Sequence, residues 1–299
     1  MIEQQSGDVC YLQFNHLRQF STLHHGAFTR AGGYSEAPYH GLNTSTPPRG
    51  KNGDSIENVV RNRQQALQAL GLEQTPTITL WQVHGADVVP FRSGEAWRSD
   101  WGQFSYYEQA WTPETIRKGD ASISNESGIA LALSFADCVP IVFYDPVQRV
   151  IGIAHGGWRG TARGIVVATV EAMYERYGSR PDDIYAGIGP AIGACCYEVS
   201  HDVQQLFMGE RVFEEMPTRD RYREIVRAAA VFSAPSTDGH FQLDLQATNR
   251  NQLLLAGLAA THIEVMEICT ACNTDRFFSH RKEQGQTGRF PVVIAQQPG

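Results

Sequence analysis

The chain has 299 residues, 42% of them hydrophobic and 19% charged, with a formal net charge of −7. That composition suits a sizeable buried core and excludes a disordered chain. The acidic balance excludes general nucleic-acid binding, which needs a basic surface to neutralise phosphates, but still allows a small anion held by a local group of arginines.

The first residues, MIEQQSGDVCYLQF, lack the basic start and apolar stretch of a secretory signal, and no apolar run reaches membrane-spanning length. The expectation is a cytoplasmic protein without membrane contact. Its six cysteines then read as free thiols or metal ligands and not as a disulfide framework.

In chain order, residues 25–54 are rich in Gly, Pro, Ser and Asn and read as loop, with Gly32-Gly33 and Pro47-Pro48 as breakers. Asp54 can cap a helix with Glu57 in the reciprocal position; Ile56, Val59, Val60, Leu67 and Leu70 form its apolar face and Gly71 ends it. TITLWQV (77–83) reads as a strand closed by His84-Gly85. Residues 91–117 carry Trp97, Trp101, Tyr106, Tyr107 and Trp111 among polar residues without a period. They read as a long ordered loop or small aromatic-rich insert within a single domain of residues 1–299.

IALALSF (129–135), PIVFYD (140–145) and VIGIAH (150–155) read as buried strands, the first two separated by Ala136-Asp137-Cys138-Val139. Gly156-Gly157 leads into a helix from about Thr161 to Tyr177, with Val166, Val170, Met173, Tyr174 and Tyr177 on one face. DIYAGIGP (183–190) reads as a strand, Asp244 opens another helix, and IEVMEI (263–268) is the last clear strand. Strands and helices mix without a strict βαβ alternation, which gives an α+β fold class.

Three strand ends each deliver one candidate metal ligand: His84, Cys138 and His155. Zinc accepts imidazole nitrogen and thiolate sulfur, and a catalytic zinc keeps a position open beside three protein ligands. The large, irregular separations leave an alternative standing, in which Cys138 is a small buried hydrophobe and the histidines are satisfied core groups. His155-Gly156-Gly157-Trp158-Arg159-Gly160 brings a strand through glycines into a helix start, where free N–H groups and the Arg159 fork suit an anion. An ordinary strand–helix turn with a surface arginine is the competing reading.

Cys269-Thr270-Ala271-Cys272 resembles half a zinc site, but no second Cys-x-x-Cys exists, and Cys195-Cys196 read as plain buried thiols. His24, His25 and His40 fall in expected loop. Ser279-His280-Arg281-Lys282 with Gly288-Arg289 is either a solvated basic tail or a second anion contact.

Taken together, several ordered segments resemble the YfiH/YlmD family, also labelled laccase-domain or polyphenol oxidoreductase proteins. They are Phe28-Thr29-Arg30-Ala31-Gly32-Gly33, Gly41-Leu42-Asn43, Gly53-Asp54 with Asn62-Arg63, and Gln82-Val83-His84-Gly85. Ala136-Asp137-Cys138-Val139-Pro140, His155 to Gly160, Ile188 to Gly193 and Cys195 to Val199 follow, then Cys269-Thr270 and Phe278-Ser279-His280-Arg281.

The resemblance implies a layered α/β/β/α sandwich of mixed sheets flanked by helices. It implies zinc on His84, Cys138 and His155, with copper the weaker choice. It also implies purine nucleoside phosphorylase activity on adenosine, inosine, guanosine or methylthioadenosine, with adenosine deaminase activity beside it. Nucleoside and phosphate are then the partners. Arg159 joins the three ligands as a catalytic candidate, and Asn43, Arg63 and Arg281 are candidates for substrate binding.

The chain departs from the family pattern at Gly156 (usually Ala), at Gly119-Asp120-Ala121-Ser122 (usually more apolar), at His280 (usually Tyr) and in its longer aromatic insert. A cysteine hydrolase using Cys138 and His155 is the alternative of a different class. A multicopper oxidase ranks last, because the ten histidines include no His-x-His. Oligomeric state is not legible.

Overall fold

The computed structural model describes residues 1–45, 53–92, 101, 117–211, 220–233 and 239–298. In chain order these form β1 (Ile2–Ser6), β2 (Val9–Gln13), β3 (Leu23–Phe28), α1 (Ile56–Ala69), β4 (Thr77–Ile78), β5 (Val88–Pro90), β6 (Ala121–Ser124), β7 (Ile129–Phe135), β8 (Val139–Asp145) and β9 (Val150–Gly156). Then come α2 (Trp158–Ala162), α3 (Ile165–Tyr177), β10 (Tyr185–Ile188), β11 (Glu198–Val199), α4 (His201–Met208), α5 (Arg223–Ala229), β12 (Phe241–Gln242), α6 (Leu245–Leu255), β13 (Ile263–Val265) and β14 (Phe290–Gln296). No helix among the described residues is long and apolar enough to cross a membrane.

Two six-stranded sheets carry the fold, one ordered β1-β2-β3-β14-β7-β4 and the other β13-β10-β8-β9-β6-β5, beside a small β11-β12 pair. Side-chain alternation explains the stacking. Along β7, Leu131, Leu133 and Phe135 face a core shared with Val142 and Tyr144 of β8 and Ile151 and Ile153 of β9. The intervening Ala130 and Ala132 face Leu67 and Leu70 around α1. On the far side of the second sheet, Ile141, Phe143 and Ala154 pack under Val166, Val170 and Met173 of α3 and Leu253 of α6. The strands are buried on both faces, so their sequences read as continuous apolar runs. The result is the expected α/β/β/α order.

Local departures from the sequence reading have local causes. Ser55, not Asp54, caps α1, with its side chain accepting from Asn58 N–H; Asp54 instead accepts from Ser55 N–H at 2.8 Å. The strand expected over 77–83 stops at Ile78, after which Trp81 makes only an isolated bridge to Lys118. The helix expected over 161–177 is two helices, α2 and α3, divided where Gly164 takes a φ of 72°. Asp244 caps α6 as expected, accepting from Ala247 N–H at 2.8 Å.

The strand after 268 that escaped the sequence reading is β14, which lies between β3 and β7. Its Pro291 has no N–H to give, and pairing with β3 begins only at Val292. Trp101 is buried, with Arg63 over its ring at 5.0 Å. The rest of the expected 91–117 insert, apart from residues 91, 92 and 117, lies outside the described residues.

Candidate metal centre and active site

The chain leaves the first sheet at the end of β7 and enters the second at β8, and Cys138 sits in that crossover. Asp137, just before it, adopts a φ of 82°. A non-glycine residue in that region must be held there by its surroundings. The Asp137 carboxylate accepts from Thr270 Oγ1–H at 2.7 Å and from Arg281 N–H at 2.6 Å, and its carbonyl accepts from Ile192 N–H at 2.9 Å. These three contacts fix the turn that presents the Cys138 thiol.

His84 also has a positive φ, of 59°. The turn around it is organised by Asp120, a fully buried carboxylate at the start of β6. Asp120 accepts from the N–H groups of Val83 at 3.3 Å, His84 at 2.9 Å and Gly85 at 2.6 Å. The same carboxylate takes Nδ1 of His155 at 2.9 Å, while the Asp120 carbonyl accepts from His155 N–H at 2.7 Å. Burial alone would raise the Asp120 pKa, but the His155 contact and the backbone donors outweigh it and keep the group ionised more readily than usual.

The three donor atoms of His84, Cys138 and His155 lie within 4.8 Å of one another, with His84 exposed, Cys138 half-buried and His155 buried. The imidazole rings of His84 and His155 meet edge to face, 4.8 Å between centroids. Burial would push the Cys138 thiol up; the two imidazoles, His155 foremost, reverse this and hold it below its usual range. His155 moves the other way: burial lowers it, but the Cys138 sulfur and Asp120 together raise it.

These residues fit a metal ion. Asp120 takes Nδ1 of His155 and so leaves Nε2 for the cluster, the carboxylate–histidine support found behind metal-ligating imidazoles. Gly157 keeps the shared space open: a Cβ there would stand 3.0 Å from Cys138 Sγ and 3.3 Å from His84 Cδ2. Gly160 lets α2 approach, since its Cβ would meet the Gly85 carbonyl oxygen at 2.8 Å. Gly156, a departure from the family pattern, has its own reason. A Cβ there would lie 2.9 Å from Ile141 Cδ1 and 3.2 Å from Asn249 Oδ1.

Arginines gather around this centre. Arg159 is exposed on α2 and stacks over Trp158 at 4.2 Å. Because α2 is only five residues long, an anion here depends on the Arg159 side chain more than on a helix dipole. Arg281 lies over the Tyr197 ring at 5.0 Å and donates to the Glu198 carbonyl at 3.0 Å. Burial pushes the Tyr197 phenol well up, and that phenol also lies within electrostatic reach of Cys138, Arg281, Asp137 and Arg159. Arg289 donates from its guanidinium to Ser45 Oγ at 2.9 Å and lies within electrostatic reach of the Cys138 sulfur. The C-terminal basic stretch therefore folds back toward the cluster and is not a solvated tail.

The other candidates sit in the supporting frame. Asn43 is buried; it donates to Asp54 at 2.8 Å and accepts from the N–H of Arg289 at 2.9 Å. Arg63, also buried, donates to the carbonyls of Thr44 at 2.8 Å and Trp101 at 3.1 Å. Both brace the 43–45 segment, to which Arg289 is hydrogen-bonded. His24 and His25 are in β3, not in loop; His25 Nε2 accepts from Phe14 N–H at 2.9 Å. Sequence reasoning missed Asp120 and Tyr197 as site residues. The local signal for Asp120 was faint: it immediately precedes the short strand Ala121–Ser124, half of it serine, and only the structure shows that this carboxylate is buried and so needs partners.

A family model described as multi-copper polyphenol oxidoreductase laccase matches residues 24–297. Purine nucleoside phosphorylase YlmD of Geobacillus stearothermophilus is 36% identical over 91% of this chain and 89% of its own length. The crystal structure of YlmD from the same organism superposes with a TM-score of 0.81 at 34% identity, covering 99% of both chains. That of Bacillus licheniformis YfiH, described as a hypothetical protein, superposes with a TM-score of 0.80 at 30% identity, covering 99% of both chains. With its site geometry, its layered fold and these likenesses, the chain belongs to the YfiH/YlmD family, the laccase-like polyphenol oxidoreductase family of that model's description.

Proposed function

We propose that the chain is a zinc-dependent purine nucleoside phosphorylase that cleaves adenosine, inosine, guanosine or methylthioadenosine with phosphate. The observation that carries this reading is the juxtaposition of a His–Cys–His donor set with arginines: Arg289 within electrostatic reach of the Cys138 thiol, and Arg159 and Arg281 within reach of Tyr197, whose phenol is itself within reach of that thiol. The YlmD relative, named a purine nucleoside phosphorylase, supports the same reaction class.

Bound zinc would supply Lewis acidity at an open coordination position. The protein's own groups do the rest. Asp120 orients His155 and, through three backbone bonds, the turn carrying His84. The arginines hold phosphate as a charge-assisted fork and lower the cost of bringing an anion to the site. A phosphate oxygen then forms the bond to ribose C1′ as the bond from C1′ to the purine breaks, the electron pair leaving with the base.

The test is base release from the four nucleosides with and without phosphate. Release that requires phosphate and yields the sugar 1-phosphate supports the reading; release without phosphate overturns it. Ammonia release from adenosine, measured in the same assay, reads out deamination, in which water replaces phosphate.

A second reading, a cysteine hydrolase, draws on the depressed Cys138 thiol beside His155. The convergence of a second imidazole on the same sulfur favours coordination over nucleophilic attack, because a coordinated thiolate shares its electron density with the metal. Copper oxidation is weaker: among the described residues, only one metal-competent group contains histidine, and it contains two.

A further inference from the structure

Four more cysteines converge at a second point of the molecule. Cys195 and Cys196 lie in the loop between β10 and β11; Cys269 and Cys272 lie in the segment after β13. In sequence the first pair reads as buried thiols and the second as half a site. Folding joins them: all four sulfurs lie within 4.8 Å of one another, and Cys195 and Cys272 are exposed. Cys272 Sγ is 3.5 Å from Cys195 Sγ and 3.4 Å from Cys196 Sγ.

We propose that Cys195, Cys196, Cys269 and Cys272 bind a second metal ion, a zinc-class divalent cation in a tetrahedral four-sulfur site. Zinc–sulfur bonds of about 2.3 Å set the sulfur–sulfur edge of a tetrahedron at about 3.8 Å. Cys272 Sγ stands a few tenths of an ångström inside that edge from Cys195 and Cys196, and every sulfur pair lies within 4.8 Å. A disulfide would instead need sulfurs at about 2.05 Å. Four reduced thiols gain little from one another half-exposed to water, whereas four thiolates select a soft or borderline cation. Binding releases four protons as the thiols become thiolates, so the cation and the four sulfurs together carry a charge of −2.

The backbone is already arranged for this. Gly193 N–H donates to Cys269 Sγ at 3.2 Å, the outer contact that orients a thiolate ligand. Gly193 also leaves room, since a Cβ there would lie 3.1 Å from Cys269 Cβ and 3.4 Å from Cys195 Sγ. Ala191 N–H donates to the Ile268 carbonyl at 3.2 Å and Thr270 N–H to the Ala191 carbonyl at 3.0 Å, so the two segments are tied before any ion arrives. Exposure of Cys195 and Cys272 gives the ion an entry path.

The ion would act as a clamp on the support of the first site. Thr270, between Cys269 and Cys272, and Ile192, beside Gly193, both hold Asp137, which sets the direction of Cys138. The four-sulfur site does not rest on the proposed reaction and is read by metal content.

The experiment strips the purified, reduced full chain with a chelator, reloads it with zinc alone and counts bound zinc by mass spectrometry. The wild type is expected to hold two equivalents. Cys269→Ser/Cys272→Ser should hold one, and His84→Ala/His155→Ala should hold the other. Loading with cobalt gives a second readout that needs no variant with four cysteines removed. The thiolate-to-cobalt absorbance of the wild type should be about five times that of Cys269→Ser/Cys272→Ser, five thiolates against one. A wild type that holds one equivalent, lost on substitution of His84 and His155, would overturn the proposal. So would a native protein four hydrogens lighter in mass, with the four sulfurs in two disulfides.

Discussion

Asp120 Oδ1 lies 2.9 Å from Nδ1 of His155, and the same oxygen accepts the backbone N–H of His84 at 2.9 Å. One carboxylate atom thus orients the side chain of one donor and the backbone of another. Asp120→Asn keeps the shape but removes the charge and one acceptor. Metal affinity should fall about 10- to 100-fold, the usual effect of losing such an outer partner. Competition with a chromophoric chelator measures this; an unchanged affinity would show that Asp120 serves only the fold.

Cys138→Ala should lose zinc and activity together. A chelator should abolish activity in the wild type and added zinc should restore it. Alkylation of Cys138 should be slow with metal bound and faster after stripping, because the free thiolate is the reactive species. A covalent substrate adduct on Cys138, or full activity in metal-free protein, would establish the hydrolase reading instead.

Arg159→Ala and Arg281→Ala should each raise the KM for phosphate about tenfold or more, the cost of a lost charge-assisted contact. Metal content should stay at the wild-type level. Arg281→Ala retains the backbone N–H that holds Asp137, so it separates the guanidinium from the turn. Unchanged phosphate kinetics in both variants would remove the arginines from the anion site.

His25 provides a pH test of the fold. Burial, reinforced by the nearby His16 charge, holds its imidazole at about 3, against 6.5 when free. Between those values the unfolded chain binds a proton that the folded chain refuses. Stability should therefore fall as pH drops from 6.5 toward 3, by about 1.4 kcal/mol per pH unit from this group. Urea midpoints across that range measure the slope, and His25→Gln should flatten it. An equal slope in the variant would assign the acid sensitivity to other groups.

The α+β class was legible because β7, β8 and β9 announce themselves as doubly buried runs, with Cys138 just beyond β7 and His155 near the end of β9, whereas the α/β/β/α layering came with the family resemblance and His84 followed an expected strand that stops at Ile78. What could not be read was partnership across the chain. Asp120 is 35 residues from His155, and Cys196 is 76 from Cys272; no local period links either pair. The burial of Arg63, whose guanidinium donates to the carbonyls of Thr44 and Trp101, is likewise revealed only by the tertiary structure. β14 was missed because Gly288, Arg289 and Pro291 punctuate a short apolar run, and its pairing with β3 and β7 overrides that local signal.

The crossover that carries Cys138 has a mechanical consequence. Cys138 closes the crossover from β7 of one sheet to β8 of the other, and Pro140, two residues on, lies opposite His155 on β9, so the donor distances depend on how the crossover is seated on both sheets. Leu133 and Ile153 lie in the layer between them, where truncation of a large side chain leaves a void that neighbours fill only in part. Any slip that closes such a void is transmitted to the sulfur–imidazole spacing. Drift in the interior would thus disturb the donor spacing before it melted the protein.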